Sequence, residues 1–546
     1  MSYYNRNLWD RYQLLFLEYE SEEAIKETFG RYLDFYLEQA NMYPARREKV
    51  SLSGVLRMTD EDGRWLEEEI ADYMKYRVPE LFASGSGLLK EAEQVKKAGD
   101  FRNLYDSCRK SGRAVRRLER AEVENSLLEM ETCKNRFSNA ASDESASALK
   151  RSARRLKKEF QDFPKLVEQF EQEIRRLEKE NEESGFKTVE DETAAETLGQ
   201  EISACGDVVK SAKEHLQRYR EAETQVERNL ELLEEACEYL EMKPDPDEED
   251  DVDWDEISQC ADEMEIPEPE NSGPKDAKKV AALERLEELF DKELFEQLLP
   301  AGTEVSGRAV SLNGIPSAGK HETGSENTGS GAMGILETAE KELLVSKYIP
   351  LYFGSFTDGT GEADAALDYE MEYLLSGKKS DRENLKEAVN KALMLRGSMN
   401  LLYLLNSPDK KAEAEALAAA VTARIIPAQM AVLFLILTLW AFGEAVLDVK
   451  TLLAGGRVSF WKTDATWKTG LSGLLDQSFL GETAESGQDG RNYTEYLSCM
   501  MFLMDRGVRN FRMMDLIQWN IRMGQSDFSV ASCAYQIEIE AEVMQK

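Results

Sequence analysis

The most restrictive feature of this sequence is a run of apolar residues that recur every three or four positions between residues 149 and 240. The spacing is unbroken over residues 149–177, and over residues 198–240 only Glu223 places a charge in it. Side chains at these intervals lie along one face of a helix and pack against a neighbouring helix, so the pattern predicts a coiled coil. The predicted coiled-coil seam comprises Leu149, Leu156, Phe160, Val167, Phe170, Ile174, Leu177, Leu198, Ile202, Val209, Leu216, Val226, Leu230, Leu233 and Leu240.

A third helix is predicted upstream of this seam, within residues 88–137, where the apolar spacing is looser. The junctions 138–147 and 184–193 are rich in Ser, Asn, Asp and Gly, so the three helices should run up, down and up. At about 1.5 Å per residue, the helix over 198–240 would be about 64 Å long, which predicts a projecting arm over residues 88–240. A compact helical bundle is the alternative, because heptads also describe bundle cores.

An acidic segment follows the predicted arm. Residues 241–276 are rich in Asp, Glu and Pro, a composition typical of a solvated linker. Residues 277–299 then show helical spacing of apolar residues, and this predicts a return helix that leads back along the arm.

The segments on either side of this insertion, residues 1–87 and 300–546, predict the two parts of one α+β body. Residues 50–58 and 307–313 are candidate strands that should pair across the insertion, and residues 530–543 alternate apolar and acidic side chains as a terminal strand does. Residues 314–334 are rich in Gly and Ser and predict a flexible loop. The predicted fold class is α+β, predominantly α-helical, with a small β-sheet and a long inserted antiparallel coiled-coil arm.

The net charge and the distribution of apolar residues restrict the classes of partner that the chain can bind. The formal net charge of −37 disfavours nucleic acid, because phosphate backbones would be repelled. Residues 425–442 form an uncharged run that is borderline in length for a membrane span. Because no basic cluster precedes the run and Glu444 and Asp448 follow it, the sequence favours a buried central helix and no membrane span.

Few residues suited to cofactor chemistry are present. The chain has 2 histidines and 7 cysteines without a C-x-x-C pair, so neither a histidine-based triad nor a zinc site is predicted. Residues 314–321 (GIPSAGKH) resemble a phosphate-binding loop, but His321 stands where a magnesium-binding hydroxyl is required. The sequence therefore predicts no cofactor and no enzymatic activity.

Two groups of carboxylates are candidate sites. A polar cluster comprises Asp368, Glu370, Glu372 and Asp381. Its acids could support hydrolysis, but a helix that ends at Gly377 and an N-cap at Ser380 or Asp381 explain most of them.

The second group follows the uncharged run, where Glu444 and Asp448 lie one helical turn apart. A charge at such a position is costly unless it is paired, so we expect a buried ion-pair network with Arg382, Arg396 and Lys462 as candidate partners. A catalytic pair is the less favoured interpretation.

Six short segments on both sides of the predicted arm resemble a bacterial family of uncharacterised domains that is encoded near tight-adherence pilus and type II secretion-like genes. They are NLWDRYQLLF (7–16), TDEDG (59–63), LDYEMEY (367–373), SDRENL (380–385), WAFGEAVLD (440–448) and KTD (462–464). The resemblance implies an envelope location and an amino-terminal membrane anchor that would precede the segment at residue 7. It implies no catalytic residues.

We therefore expect a non-enzymatic structural or interaction component of a bacterial cell-envelope, pilus or secretion assembly. Its partners would be other proteins, and homo-oligomers could form through the arm. Two alternatives stay open: a carboxylate-based envelope hydrolase that uses acids such as Glu370, Glu444 and Asp448, and a protein inserted in the membrane through residues 425–442.

Overall fold

The computed structural model describes most of the chain. The described residues are 4–19, 21–39, 45–77, 85–120, 124–183, 192–241, 253–266, 276–291, 294–318, 332–358, 365–421, 426–481 and 490–545. The candidate phosphate-binding loop and the predicted flexible loop thus lie partly outside the described residues.

The described chain is predominantly helical with one small antiparallel sheet, as the sequence predicts. The helices are α1 (Arg6–Tyr12), α2 (Glu22–Gln39), α3 (Arg64–Arg77), α4 (Gly85–Arg120), α5 (Glu124–Asn139), α6 (Asp143–Glu183), α7 (Glu192–Glu241), α8 (Trp254–Glu263), α9 (Ala277–Asp291), α10 (Phe295–Leu298), α11 (Ala332–Tyr352), α12 (Glu370–Ser376), α13 (Asp381–Leu405), α14 (Pro408–Val421), α15 (Ile426–Leu453), α16 (Leu471–Leu475), α17 (Tyr493–Phe502) and α18 (Arg506–Arg522). The strands are β1 (Leu17–Glu18), β2 (Ala45–Arg57) and β3 (Cys533–Gln545).

Helix α15 lies at the centre of the body. It packs against α13, α14, α4 and α7, and the stretch Val432–Leu453 is buried inside the fold, as the uncharged run predicts. An apolar helix without a polar face needs neighbours on every side, and these four helices supply them. This stretch is also the one candidate membrane span among the described residues, a criterion that buried core helices of soluble proteins meet as well.

The sheet has the order β1-β3-β2 and joins the two ends of the chain. Residues 50–58 and 530–543 lie largely within β2 and β3, which pair with each other along their length. The prediction that 307–313 is a strand paired with 50–58 is wrong. In that segment only Ala309 forms an isolated bridge, to Ser380, because the 13-residue strand β3 offers β2 a longer partner with alternating side chains.

The helices of the predicted arm pack antiparallel. Lys150 of α6 contacts Glu234 of α7 at 2.8 Å. Glu171, further along α6, contacts Lys213, which lies earlier in α7, at 2.6 Å. Most residues of the predicted coiled-coil seam are buried, and only Leu216, Leu230 and Leu240 are half-buried.

The arm consists of two halves with separate cores. Apolar side chains of 163–177 and 194–212 belong to the body core, whereas those of 127–160, 226–236 and 257–264 form a distal core of their own. An arm that leaves the body over its whole length is therefore not observed. The reason is that α4 and α7 also pack against the body helices α13 and α15.

The predicted acidic linker contains a helix. Within 241–276, α8 packs against α5 and α7 through Ile257, Cys260 and Ala261, a helical stripe that the acidic composition conceals. The amide of Asn229 in α7 bonds the backbone of Glu265, which holds the end of this helix in place. Residues 242–252 and 267–275 lie outside the described residues.

The return helix also differs from its prediction. Residues 277–299 form α9 and α10, and α9 packs in the body against α14 and α16 instead of along the arm. Its apolar side chains are part of the body core, where the rings of Phe290 and Phe442 meet at 4.2 Å. The fourth helix of the distal unit is therefore α8.

Candidate functional site

Four charged side chains meet in the centre of the body. Glu444 and Asp448 lie one turn apart on α15, Arg396 projects from α13, and Lys462 follows α15 in the chain. Asp448 accepts bonds from Arg396 Nη2 and from Lys462 Nζ, both at 2.8 Å. Lys462 also pairs with Glu444. We call these four residues the central network.

The central network is closed to solvent and its polar atoms are bonded. The four side chains are at most 3% exposed. Arg396 also donates to the carbonyl oxygen of Phe460 at 2.8 Å and to the hydroxyl of Tyr496 at 2.9 Å. Glu444 accepts from the backbone N–H of Thr469 at 2.7 Å and from its hydroxyl at 2.8 Å. Such bonds offset the cost of removing ions from water.

The network is electrically balanced, with two cations and two anions. Burial raises the pKa of Asp448, but the charges of Arg396 and Lys462 outweigh that effect and hold its pKa below the ordinary value. Burial alone would lower the pKa of Arg396, whereas Asp448 and neighbouring groups raise it above its ordinary value. Both partners are therefore ionised at neutral pH.

The structure brings together four of the five residues predicted for this network. Arg382, the fifth, lies apart on the surface, where it pairs with Glu296 and lies over the ring of Phe295. Both members of that exposed pair are more than half exposed, at 57% and 62%. Arg382 is near the start of α13, whereas Arg396 lies four turns further along, level with Asp448.

A second charge network joins the amino-terminal segment to α18, and sequence reasoning missed it. Arg509 contacts Glu67 of α3 at 2.7 Å and also pairs with Glu342 of α11. Arg506 pairs with the same two glutamates. We call these four residues the terminal network. The available signal was two arginines three positions apart on a helix face that also carries Met513, Leu516 and Ile517.

Burial is less complete in the terminal network than in the central one. Arg509 is fully buried and Glu67 is 3% exposed, while Arg506 reaches the surface. Burial raises the pKa of Glu67, but Arg509 and Arg506 bring it below its ordinary value. Glu67 thus remains an anion, and its ion pairs together with those of Glu342 hold three helices together.

The acids of the predicted polar cluster mostly bond to backbone and side-chain groups around them, and Asp381 also accepts from the backbone N–H of Asp368 at 3.0 Å. Asp381 accepts from the hydroxyl of Ser306 at 2.7 Å and from the backbone N–H of Tyr369 at 3.1 Å, and Asp368 pairs with Arg308. The other two acids each accept a backbone N–H from the segment after α11. Those bonds join Glu370 to Gly354 at 2.9 Å and Glu372 to Phe356 at 3.0 Å. These carboxylates fix the backbone around the ends of α11, α12 and α13.

One member of this group has a strongly perturbed acidity. Burial raises the pKa of Glu372 to about 7, and no cation among the described residues compensates for it. Between about pH 4.5 and 7, Glu372 therefore keeps its proton in the folded protein but loses it in the unfolded chain. Because the folded state binds more protons in this range, the free energy of unfolding falls as the pH rises through it. The upward shift corresponds to about 3 kcal/mol above pH 8.

A Glu372→Gln variant tests this directly. We expect its advantage in unfolding free energy over the unmodified chain to grow by about 2.5 kcal/mol between pH 5 and pH 8, because glutamine carries no charge to bury. Urea unfolding at the two pH values measures the difference. An advantage that is equal at both pH values would show that Glu372 does not titrate in this range.

A cleft of about 500 Å³ opens between α11, α17 and the start of α4. Its lining includes Lys347, Asp358, Arg491 and Thr494. Asp358 accepts hydrogen bonds from Thr494 and from Ser355, which hold this carboxylate against the cleft wall. The acids of the hydrolase hypothesis, Glu370, Glu444 and Asp448, do not line this cleft. Among the described residues no group of His, Cys, Asp and Glu is arranged to hold a metal ion.

Comparison with known proteins shows the family of this chain. Residues 272–545, half of the 546-residue chain, match the family described as "family of unknown function (DUF5702)". The chain belongs to the DUF5702 family. No curated protein and no solved structure matches it. The DUF5702 match contains the whole central network and Glu342, Arg506 and Arg509 of the terminal network, whereas the arm and Glu67 lie outside it.

Proposed function

We propose that this chain is a non-enzymatic structural component that contacts other proteins through the distal half of its helical arm. The observation that carries this proposal is the separate distal core formed by parts of α5, α6, α7 and α8. A unit with its own core can present a surface without disturbing the body. Helices α6 and α7, which run through both cores, connect it firmly to the body.

The ion pairs along the arm support a stiff connection. Lys157 contacts Glu227 of α7 at 2.6 Å, and Arg155 contacts Glu129 of α5 at 3.1 Å, so α5 and α7 are both linked to α6. Exposed pairs of this kind contribute little stability but they favour one register of the helices. The coiled-coil geometry itself stays a prediction of the heptad spacing.

The buried carboxylates support a structural role. Those of the central network neutralise cations, and Glu370 and Glu372 accept backbone N–H groups. Side chains committed to such bonds stabilise helix ends and helix contacts.

The finer proposal concerns location. We propose a bacterial cell-envelope, pilus or secretion assembly as the setting, with the chain anchored to the membrane in its full-length form. This rests on the resemblance of the six sequence segments. Homo-oligomers formed through the arm belong to the same proposal.

Site-specific photo-crosslinking in the native cells tests the interaction role. A photoreactive amino acid is placed at exposed arm positions Leu128, Asn135 and Gln259, and at the exposed body positions Tyr76 and Met523 as matched controls. We expect one discrete adduct, of the same partner, from the arm positions and not from the controls. Adducts from the controls alone, or none from any position, would overturn the proposal.

A further inference from the structure

The far end of the arm carries a groove that no described part of the chain fills. Its volume is about 390 Å³, and it lies where α5 turns into α6, beside the start of α8. The tip groove is defined here by residues 137–141 together with Trp254, Ile257, Ser258 and Ala261.

The floor of the tip groove is apolar and one of its walls is an exposed tryptophan. Phe137, Ile257 and Ala261 belong to the distal core and are at most 3% exposed. Trp254, in the first turn of α8, is 52% exposed. A single exposed apolar residue is common on protein surfaces. A tryptophan beside an apolar depression is instead typical of a binding hot spot, because contact buries a large ring while its N–H can still donate.

The two helix starts next to the tip groove are acidic. Asp143 and Glu144 begin α6, and Asp253, Asp255 and Glu256 flank Trp254 at the start of α8; all five are exposed and close in sequence to residues that line the groove. We call these five residues the acidic rim. Over residues 136–145 and 253–263, Arg136 is the one basic residue. The charge of Glu256 also affects the adjacent helix, where it is the largest cause of the raised pKa of the Tyr239 hydroxyl.

We propose that the tip groove binds a basic segment of another protein, which inserts one apolar side chain beside Trp254 while its lysines and arginines pair with the acidic rim. The inference rests on the proposed interaction role and specifies its partner. Charge complementarity selects this occupant. A second copy of this chain would bring the same acidic rim against itself, and like charges at an interface oppose association.

Fluorescence anisotropy with the full chain tests the apolar contact. The probe is a labelled 15-residue peptide of lysine and leucine with leucines on one helical face. Trp254→Ala should weaken binding by about 30-fold, which is the effect of losing a central tryptophan at a hot spot. Tyr76→Ala is the matched control, because Tyr76 is also an exposed aromatic residue, at 88%, but lies in the body, and its replacement should leave binding unchanged.

Charge reversals test the acidic rim against general attraction to an acidic protein. Asp255→Lys with Glu256→Lys should weaken binding by at least 10-fold at low salt, whereas Glu131→Lys, an exposed residue elsewhere on the arm, should change it by less than about 2-fold. A peptide in which serine replaces leucine should bind more weakly to the unmodified chain.

Four results would overturn the inference. They are absence of peptide binding, equal loss in the Trp254 and Tyr76 variants, equal loss in all charge variants, and a dimer of the chain that dissociates on Trp254→Ala in sedimentation measurements. The proposed interaction role is tested separately, because crosslinks at Leu128, Asn135 and Gln259 would persist even if the tip groove bound nothing basic.

Discussion

Replacing Asp448 with alanine should lower the free energy of unfolding by about 3–5 kcal/mol, because it leaves two cations in the core without their shared anion. Arg396 and Lys462 are both at most 3% exposed, so water cannot take the place of the lost carboxylate. Urea unfolding followed by both tryptophan fluorescence and circular dichroism measures the change, and coincident transitions establish that it is two-state.

Glu296→Ala provides the matched control for this variant. It also removes the acidic partner of an arginine, but the pair it breaks, with Arg382, lies on the surface. Exposed pairs of this kind contribute about 0–1 kcal/mol, so we expect a small effect. If the two variants were equally stable, the central network would not be the closed ionic core that the distances indicate.

Replacing Arg509 with methionine should have an effect of similar size, again about 3–5 kcal/mol. The variant leaves Glu67 and Glu342 with Arg506 alone, which is 41% exposed and therefore a weaker counter-ion. Since these residues join α3, α11 and α18, we expect the loss to appear first as faster hydrogen exchange in α3. Exchange measured by mass spectrometry resolves this, while α15 should keep its protection.

Arg155→Met is the corresponding control on the surface. Arg155 also joins two glutamates, Glu129 and Glu159, but it is 63% exposed. Its replacement should lower the free energy of unfolding by less than about 1 kcal/mol.

A double-mutant cycle with Glu67→Gln tests the contact between Glu67 and Arg509 directly. Glu67→Gln should lower the free energy of unfolding by less when Arg509 is already methionine. Strictly additive effects would contradict a direct contact between the two residues.

Local periodicity accounts for the features that sequence reasoning predicted well. The alternation of residues 530–543 identified β3, and the uncharged run identified the buried helix α15, because each pattern is contained within one element. The sequence also indicated that Glu444 and Asp448 require counter-charges, since both acids follow an apolar run on the same helix.

Features that depend on distant partners were predicted less well. Residues 307–313 have the alternation of a strand, but which strands pair depends on all the strands that the fold brings together. Here β2 pairs with β3 from the other end of the chain. The terminal network joins Glu67 to Arg509 across 442 positions of sequence, which no local pattern reports. In the acidic segment, composition concealed the three apolar residues that dock α8.

The sequence by itself therefore determined that the chain is predominantly helical, which helix is fully buried, and that two acids on it need counter-charges, because these follow from the side chains of neighbouring residues. Only the tertiary structure decided that Arg396 and Lys462, and not Arg382, supply those charges, and that half of the arm lies against the body. An ion pair or a helix contact forms with whichever group the folded chain places within a few ångströms, and that position depends on the packing of all the other elements.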